Sequence, residues 1–373
     1  MLIGVPKEIK SFEYRVGLIP SSVRELVACG HQVMVEKGAG EKIGFDDPVY
    51  QQVGAKISEY AEEIFQQSDM IIKVKEPQPQ ECRMLRDNQI LFAYLHLAPD
   101  PEQAKLLQES GCVAVAYETV TNSLGGLPLL APMSEVAGRM AIQAGATNLE
   151  IKNGGRGMLL GGVPGVVPAN VVVLGGGVVG LNAVRVAVGM GARVVVIDKA
   201  LDRLYHLDLH FGSKINTIFS TIDSIEKYVP NADLVIGAVL IPGASAPRLV
   251  KKEMLKHMRA GSVMVDVSID QGGCFETSKP TTHENPTYLV DGVVHYCVSN
   301  MPGAVPRTST VALNNATLPF VLELANNGYK EAMRKNQHLM HGLNVCCGKI
   351  TYRAIAETLQ QSYMPAEQMI GGC

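Results

Sequence analysis

From Gly157 to Val184 the chain runs for 28 residues without one ionisable side chain, and this run narrows its possible folds most. Length alone would admit a membrane-spanning helix, which needs about 20 apolar residues. The content argues against one. Eight glycines, Pro164, Pro168 and Asn170 interrupt the run, and a spanning helix would have to re-satisfy the backbone groups that prolines free. A glycine-rich loop leading into a buried strand fits better. Ala169–Leu174 shows no polar alternation, as expected of a strand covered on both faces of a parallel sheet.

The chain has 373 residues, which at ~150 per domain predicts two domains. Hydrophobic residues make up 47% and charged residues 18%, so the chain can fill two cores and does not fit the profile of disorder. A net charge of −3 supplies no field that would draw it to nucleic acid or anionic lipid. Met1–Pro6 is too short an apolar stretch for a secretion signal, with Lys7, Glu8 and Lys10 following at once. Eight scattered cysteines, with no C-x-x-C, are expected to be reduced thiols in a cytoplasmic protein. Neighbouring Cys346 and Cys347 are not expected to pair, and terminal Cys373 has no basic residue near it in sequence.

Along the chain, strands are expected at Leu2–Val5, His31–Val35, around Ile57, Met70–Val74, Ile90–Leu95 and Cys112–Ala116. Helices are expected between them at Pro20–Ala28, Pro48–Val53, Gln80–Leu85 and Pro101–Ser110. A long helix at Pro132–Thr147 precedes a second alternation, with strands at Ala169–Leu174, Arg193–Ile197, Ile215–Ser220, Leu234–Gly237 and Ser262–Val267. Such alternation means right-handed crossovers and parallel sheets. The expected fold is α/β, with two doubly wound parallel-sheet domains. Helices at Val305–Asn326, Tyr329–Asn336 and Tyr352–Gln361 are placed back on the first domain. The domains then comprise 1–128 with 307–373, discontinuous, and 129–306.

The second domain opens on a motif. Gly175, Gly177 and Gly180 fit G-x-G-x-x-G directly after the buried strand and at the start of a helix, Val178–Met190. Gly175 allows a tight turn, Gly177 lets backbone approach a pyrophosphate, and Gly180 lets helix and strand pack closely. The helix N-terminus offers N–H groups and partial positive charge to phosphates. The next strand ends at Asp198, 18 residues past Gly180, near the ~20 expected of the acid that binds an adenosine ribose. A carboxylate there would repel a 2′-phosphate, which favours NAD over NADP. Lys199 and Arg203 stand close by and temper that preference.

A nicotinamide enzyme also needs a proton-transfer group and cations for an acidic substrate. Lys75 and His96 each follow an expected strand of the first domain, and Asp270 follows one of the second. Ligands of parallel sheets bind beyond such carboxyl ends. Arg15 follows the first strand and completes the set. Each also has an ordinary reading: a surface lysine beside Glu76, a core histidine between Leu95 and Leu97, a structural ion pair. His206 and His210 have i, i+4 spacing that can suit a metal, but no third ligand is evident and no metal site is predicted.

Several stretches carry a resemblance. Gly4-Val-Pro-Lys-Glu8 through Glu13-Tyr-Arg15-Val16 to Pro20 is similar to the N-terminal signature shared by alanine dehydrogenases and the NAD-binding part of proton-translocating transhydrogenases. So are Ile72-Lys-Val-Lys75-Glu-Pro77, Ala131-Pro-Met-Ser134-Glu-Val-Ala-Gly-Arg139, Val265–Gly273 and Ser299–Thr310. His96 within Leu91–Ala98, together with Asp270, resembles the dehydrogenases more than the transhydrogenases. Ser11-Phe12, Gly17 and Ile19 depart from the usual pattern around Arg15. The resemblance implies reversible oxidation of L-alanine by NAD to pyruvate and ammonium. It implies that Arg15 and Lys75 hold the substrate and that His96 and Asp270 handle protons, with domain closure excluding water. It carries cofactor contacts to Ser134, Val178, Val179, Asp198, Arg203, Ser220, Val239, Leu240, Val267, Ile269, Asp270, Val298, Asn300 and Met301, beside the three motif glycines. A homo-oligomer is implied, commonly a hexamer in this family, without nucleic-acid or membrane partners. Two alternatives stay open: a saccharopine dehydrogenase, and a transhydrogenase subunit that binds NAD without oxidising alanine.

Overall fold

The computed structural model describes residues 1–239 and 246–372. Leu240 and Cys373 lie outside them. The chain forms two compact units, one of residues 1–132 and 305–373, the other of residues 133–304.

The first unit contains strands β1 (Leu2–Val5), β2 (Gln32–Glu36), β3 (Lys56–Ser58), β4 (Met70–Ile72), β5 (Ile90–Ala93) and β6 (Val113–Ala116). The second contains β7 (Asn170–Leu174), β8 (Arg193–Asp198), β9 (Ile215–Phe219), β10 (Leu234–Gly237), β11 (Val263–Asp266), β12 (Thr287–Val290) and β13 (Val293–Tyr296). The chain then returns to the first unit for β14 (Leu343–Cys346) and β15 (Lys349–Ile350).

The two sheets repeat one plan. The first runs β15-β14-β6-β5-β4-β1-β2-β3 and the second β12-β13-β11-β10-β7-β8-β9. Counting only the mutually parallel strands of each unit, β1–β6 in the first and β7–β11 with β13 in the second, both cores run 3-2-1-4-5-6, the doubly wound order. In each sheet the winding reverses once, between β1 and β4 in the first unit and between β7 and β10 in the second. Ligands bind in the crevice at such a reversal, beyond the carboxyl ends of the strands. The doubly wound α/β class expected from the alternation is therefore present, with an antiparallel hairpin added at one edge of each sheet.

Those hairpins escaped the sequence reading. Asp291 and Gly292 join β12 to β13 with φ of 49° and 79°, and Cys347 and Gly348 join β14 to β15 with 48° and 73°. Two successive positive φ values make the two-residue turn whose twist matches its strands. Elsewhere the apolar pattern overshot. The strands expected to reach Val74 and Leu95 end at Ile72 and Ala93. The residues beyond remain buried, and two further bonds, Lys73 N to Phe92 O at 3.2 Å and Tyr94 N to Val74 O at 3.1 Å, carry the pairing outward.

Burial explains why these strands form. Every residue of β4, β5, β6, β10 and β11 is buried, and each large aliphatic side chain so covered contributes about 1.5–3 kcal/mol. The late helix Pro306–Lys335 joins the first unit through buried Asn314. Its Oδ1 accepts from Ile19 N at 2.9 Å, and its Nδ2 donates to Val16 O at 3.4 Å. Gly328 breaks the helical path with φ 72° and ψ 159°, where the sequence predicted an interruption between two helices. The uncharged approach to β7 folds back on itself, with Val163 bridging Val166. Among the described residues no helix is long and apolar enough to cross a membrane.

Candidate functional site

In the first unit, charge collects beyond the ends of β1, β4 and β5. Arg15 lies ten residues past β1 and is 2% exposed. Glu13 grips it with two parallel bonds, Nε to Oε1 at 2.7 Å and Nη2 to Oε2 at 2.5 Å. This fork pairing fixes the guanidinium plane. Burial works against both charges, but their mutual bond and attraction outweigh it, so the Arg15 pKa is raised and the Glu13 pKa lowered. Lys75 adds to the field that lowers Glu13, and its ammonium lies 3.9 Å from Glu76.

His96 sits three residues past β5, its side chain 46% exposed. Its φ is +49°, a left-handed conformation that side chains rarely adopt. Glu118 accounts for it. The Glu118 carboxylate accepts from His96 N at 2.6 Å and from Leu95 N at 3.2 Å. Its Oε1 also lies 3.9 Å from His96 Nδ1. Tyr94 stacks on the imidazole with ring centres 5.9 Å apart and planes 7° from parallel. The Tyr94 hydroxyl donates to Leu129 O, and burial raises its pKa. The exposed imidazole is thus held in place by backbone bonds to a carboxylate and by an aromatic face.

In the second unit the glycine motif follows β7 and opens helix Val178–Gly189. Gly175 has φ +101°, and a Cβ there would stand 2.5 Å from Ala238 O. A Cβ on Gly180 would stand 1.8 Å from Gly175 O, so nothing larger fits between helix and turn. At Gly177 the space is open: a Cβ would meet only Arg203 Nη1, at 3.7 Å. The turn leaves room on its outer side, and its close packing requires glycine on its inner side. Such a cradle fits a pyrophosphate.

Asp198 ends β8. Its carboxylate accepts from Gly176 N at 2.5 Å and Ala200 N at 2.7 Å, and Arg203 stands 3.8 Å away. The acid therefore braces the glycine turn, with one chain donor on each oxygen. Asp270 is exposed in the short turn Ile269–Gln271, four residues past β11. Buried Asp266 ties the two sides of that loop together, accepting from Ser268 N at 3.0 Å and Cys274 N at 2.9 Å. Burial pushes the Asp266 carboxyl up against these bonds.

The other expected cofactor contacts fall into two groups. Ser134, Val178, Val179, Ser220, Val239, Val267 and Asn300 retain exposure, while Ile269, Val298 and Met301 are buried. Asn300 takes a left-handed φ of +59°, and its carbonyl lies 3.2 Å from His283 Nε2. His210 of the spaced histidine pair meets Arg185 at 2.9 Å. A cavity of about 410 Å³ beside Tyr352, Arg353 and Tyr363 is lined by none of the expected site residues.

Sequence reasoning missed Glu8, Glu13, Lys73, Tyr94 and Glu118 as members of this region. Glu118 was within reach, because it lies two residues past β6 and so obeys the same strand-end rule as Lys75 and His96.

Comparison with known proteins identifies the family. Residues 4–137 match the family described as alanine dehydrogenase/PNT, N-terminal domain, and residues 141–353 its C-terminal domain. The alanine dehydrogenase of Halomonas elongata is 57% identical over 371 residues, covering all of both chains. That of Methanococcus maripaludis is 54% identical, covering 99% of this chain and 100% of its own. A solved L-alanine dehydrogenase superposes with a TM-score of 0.94 at 52% identity, over 96% of this chain and 99% of that one. A transhydrogenase from Sinorhizobium meliloti shares the fold, with a TM-score of 0.82 at 24% identity over 94% of this chain and 100% of its own.

Proposed function

The chain belongs to the alanine dehydrogenase/PNT family, and from that premise we propose that it is an NAD-dependent L-alanine dehydrogenase. The reaction is L-alanine, NAD and water giving pyruvate, ammonium, NADH and a proton, reversibly. One observation carries the reading: His96 is an exposed imidazole on a turn braced by Glu118, on the same sheet edge as the Glu13–Arg15 pair and Lys75. A subunit that only bound a dinucleotide would need no such proton-transfer group. Relatives more than half identical over the full length are dehydrogenases, so this chain is an enzyme.

The glycine turn and Asp198 fit a dinucleotide. Gly175, Gly177 and Gly180 would hold the pyrophosphate with the N–H groups at the start of helix Val178–Gly189, and Asp198 would hold the adenosine ribose. Its carboxylate supports NAD over the phosphorylated form. Ser134, Val178, Val179, Arg203, Ser220, Val239, Leu240, Val267, Ile269, Val298, Asn300 and Met301 would complete the contacts. Bound NAD would supply the hydride acceptor.

The chain's own groups would do the rest. Arg15 and Lys75 would hold the substrate carboxylate and carbonyl oxygen, as fixed cations for an acidic substrate. His96 would move a proton at the carbinolamine oxygen, as a positioned general acid and base. Asp270 would orient water or ammonia and relay protons. Family membership supports a homo-oligomer, a hexamer by the family's habit, acting on small molecules in the cytoplasm. The net charge of −3 supports no nucleic-acid partner.

The test is NADH absorbance with L-alanine and NAD, and then with pyruvate, ammonium and NADH. Turnover in both directions, with lysine and glutamate inert, is expected. NADH binding without alanine-dependent NADH formation would instead indicate a transhydrogenase-type subunit. Preference for a bulkier amino acid would favour the saccharopine alternative.

A further inference from the structure

Lys73 is a fully buried cation of the first unit, 0% exposed. Its ammonium lies 3.0 Å from Glu8 Oε2 and 2.8 Å from Glu81 Oε1. Two buried carboxylates thus share one buried ammonium. A buried ion pair is weak support for stability, since desolvation offsets most of the attraction. The other oxygens of the two acids show what the cluster holds. Glu8 Oε1 accepts from Val74 N at 2.7 Å and Lys75 N at 3.3 Å. Glu81 Oε2 accepts from Gln78 N at 2.7 Å. The segment between Lys73 and Gln78 is therefore held at both ends by carboxylates that face the same ammonium, and Lys75 projects from it. The cluster stands at the β1–β4 reversal, because Glu8 follows β1 and Lys73 follows β4.

We propose that Glu8 is a positioning residue for the substrate-holding Lys75: its carboxylate fixes the Val74–Lys75 backbone, and Lys73 with Glu81 fixes the carboxylate. The proposal rests on the reading of Lys75 given above. Peptide N–H groups at the end of β4 would otherwise lack a partner, because β1 departs toward Glu8 instead of continuing the ladder. Glu8 supplies the missing acceptor at the position from which Lys75 must reach its ligand. A shift of about 1 Å in such a group can cost 100-fold in rate.

Glu8→Asp tests this in the full-length protein, because it keeps the charge and withdraws the acceptor by one methylene. KM for L-alanine should rise roughly tenfold or more, with a smaller change in kcat and unchanged NADH affinity by fluorescence titration. Combining Glu8→Gln with Lys73→Met and Glu81→Gln removes all three charges but returns an acceptor oxygen at the original reach. It should recover most of the KM lost in Glu8→Asp. A purely structural role would lower the melting temperature in both proteins without separating KM from kcat. A wild-type KM in Glu8→Asp overturns the proposal, as does a triple variant that binds alanine no better than Glu8→Asp. If Glu8→Asp fails to bind NADH, the triple variant decides alone: near-normal KM supports the proposal and a raised KM overturns it. Lys75→Ala separates the two levels. If it turns over normally, the reading of Lys75 and this proposal both fall. If it is inactive while Glu8→Asp behaves as wild type, only the proposal falls.

Discussion

Glu118→Ala is the sharpest probe of the first unit. Holding His96 at φ +49° costs about 1–2 kcal/mol for a residue with a Cβ. Glu118 offsets this by accepting from His96 N at 2.6 Å and Leu95 N at 3.2 Å. Hydrogen bonds to a charged group contribute roughly 1.5–3 kcal/mol each, so two leave a surplus of about 1–5 kcal/mol over the strain. With alanine at 118 that surplus disappears. The turn then relaxes toward ordinary backbone angles, and the imidazole would leave the position proposed for it beside the substrate. General acid–base catalysis contributes about 10²–10⁴-fold, and a loss of kcat near the lower end of that range is expected. The assay is steady-state NADH formation from L-alanine, with NADH affinity measured alongside. NADH affinity should not change, because Gly175–Gly180 and Asp198 lie in the other unit. Glu118→Gln keeps one acceptor oxygen and should lose less. Wild-type kcat in Glu118→Ala would refute the idea that the carboxylate holds the histidine.

Three further outcomes are expected. His96→Ala should lower kcat by about 10²–10⁴-fold while NADH still binds; near-normal turnover removes His96 from the chemistry. Asp198→Ala should narrow the preference for NAD over NADP, measured as the ratio of kcat/KM values, and weaken binding of both because the Gly176 N–H loses its acceptor; an unchanged ratio contradicts the ribose role. The third concerns pH. Burial raises the Glu13 pKa, but the Arg15 bond and charge lower it further, so the folded value lies below the usual glutamate 4.5. Stability from this group is thus present above pH 4.5 and lost as pH falls through the lower folded value. Urea midpoints of Glu13→Gln should show a shallower fall than wild type below pH 4.5; parallel curves would exclude the contribution.

Much of the second unit was readable in the chain, because three adjacent signals agree there: an unalternating apolar strand, glycines at fixed offsets, and an acid at the end of the next strand. Strand-end logic likewise singled out Lys75, His96 and Asp270. The buried charges were not readable. Glu8 and Lys73 are 65 residues apart, and nothing local marks a lysine as fully buried or names its partner. Glu13 and Arg15 are two residues apart, yet their fork pairing depends on an irregular turn and not on a helical or strand period. The edge hairpins divide the same way. Asp291-Gly292 carries a recognised turn signal in the sequence itself. Cys347-Gly348 is a poor one, and β15 has only two residues.

The insertion of one unit within the other has a consequence for synthesis. β6 pairs with β14 through Val115 and Leu343, 228 residues later along the chain. At about 5–20 residues per second, the ribosome delivers that partner roughly 10–45 seconds after β6 emerges. During that interval the nascent first unit carries an open sheet edge, while residues 133–304 already form a contiguous piece able to fold. Unpaired edges template association between chains. Chains stalled before residue 343 should therefore aggregate through β6, and the cell's chaperone demand for this protein should be set by the time to complete it.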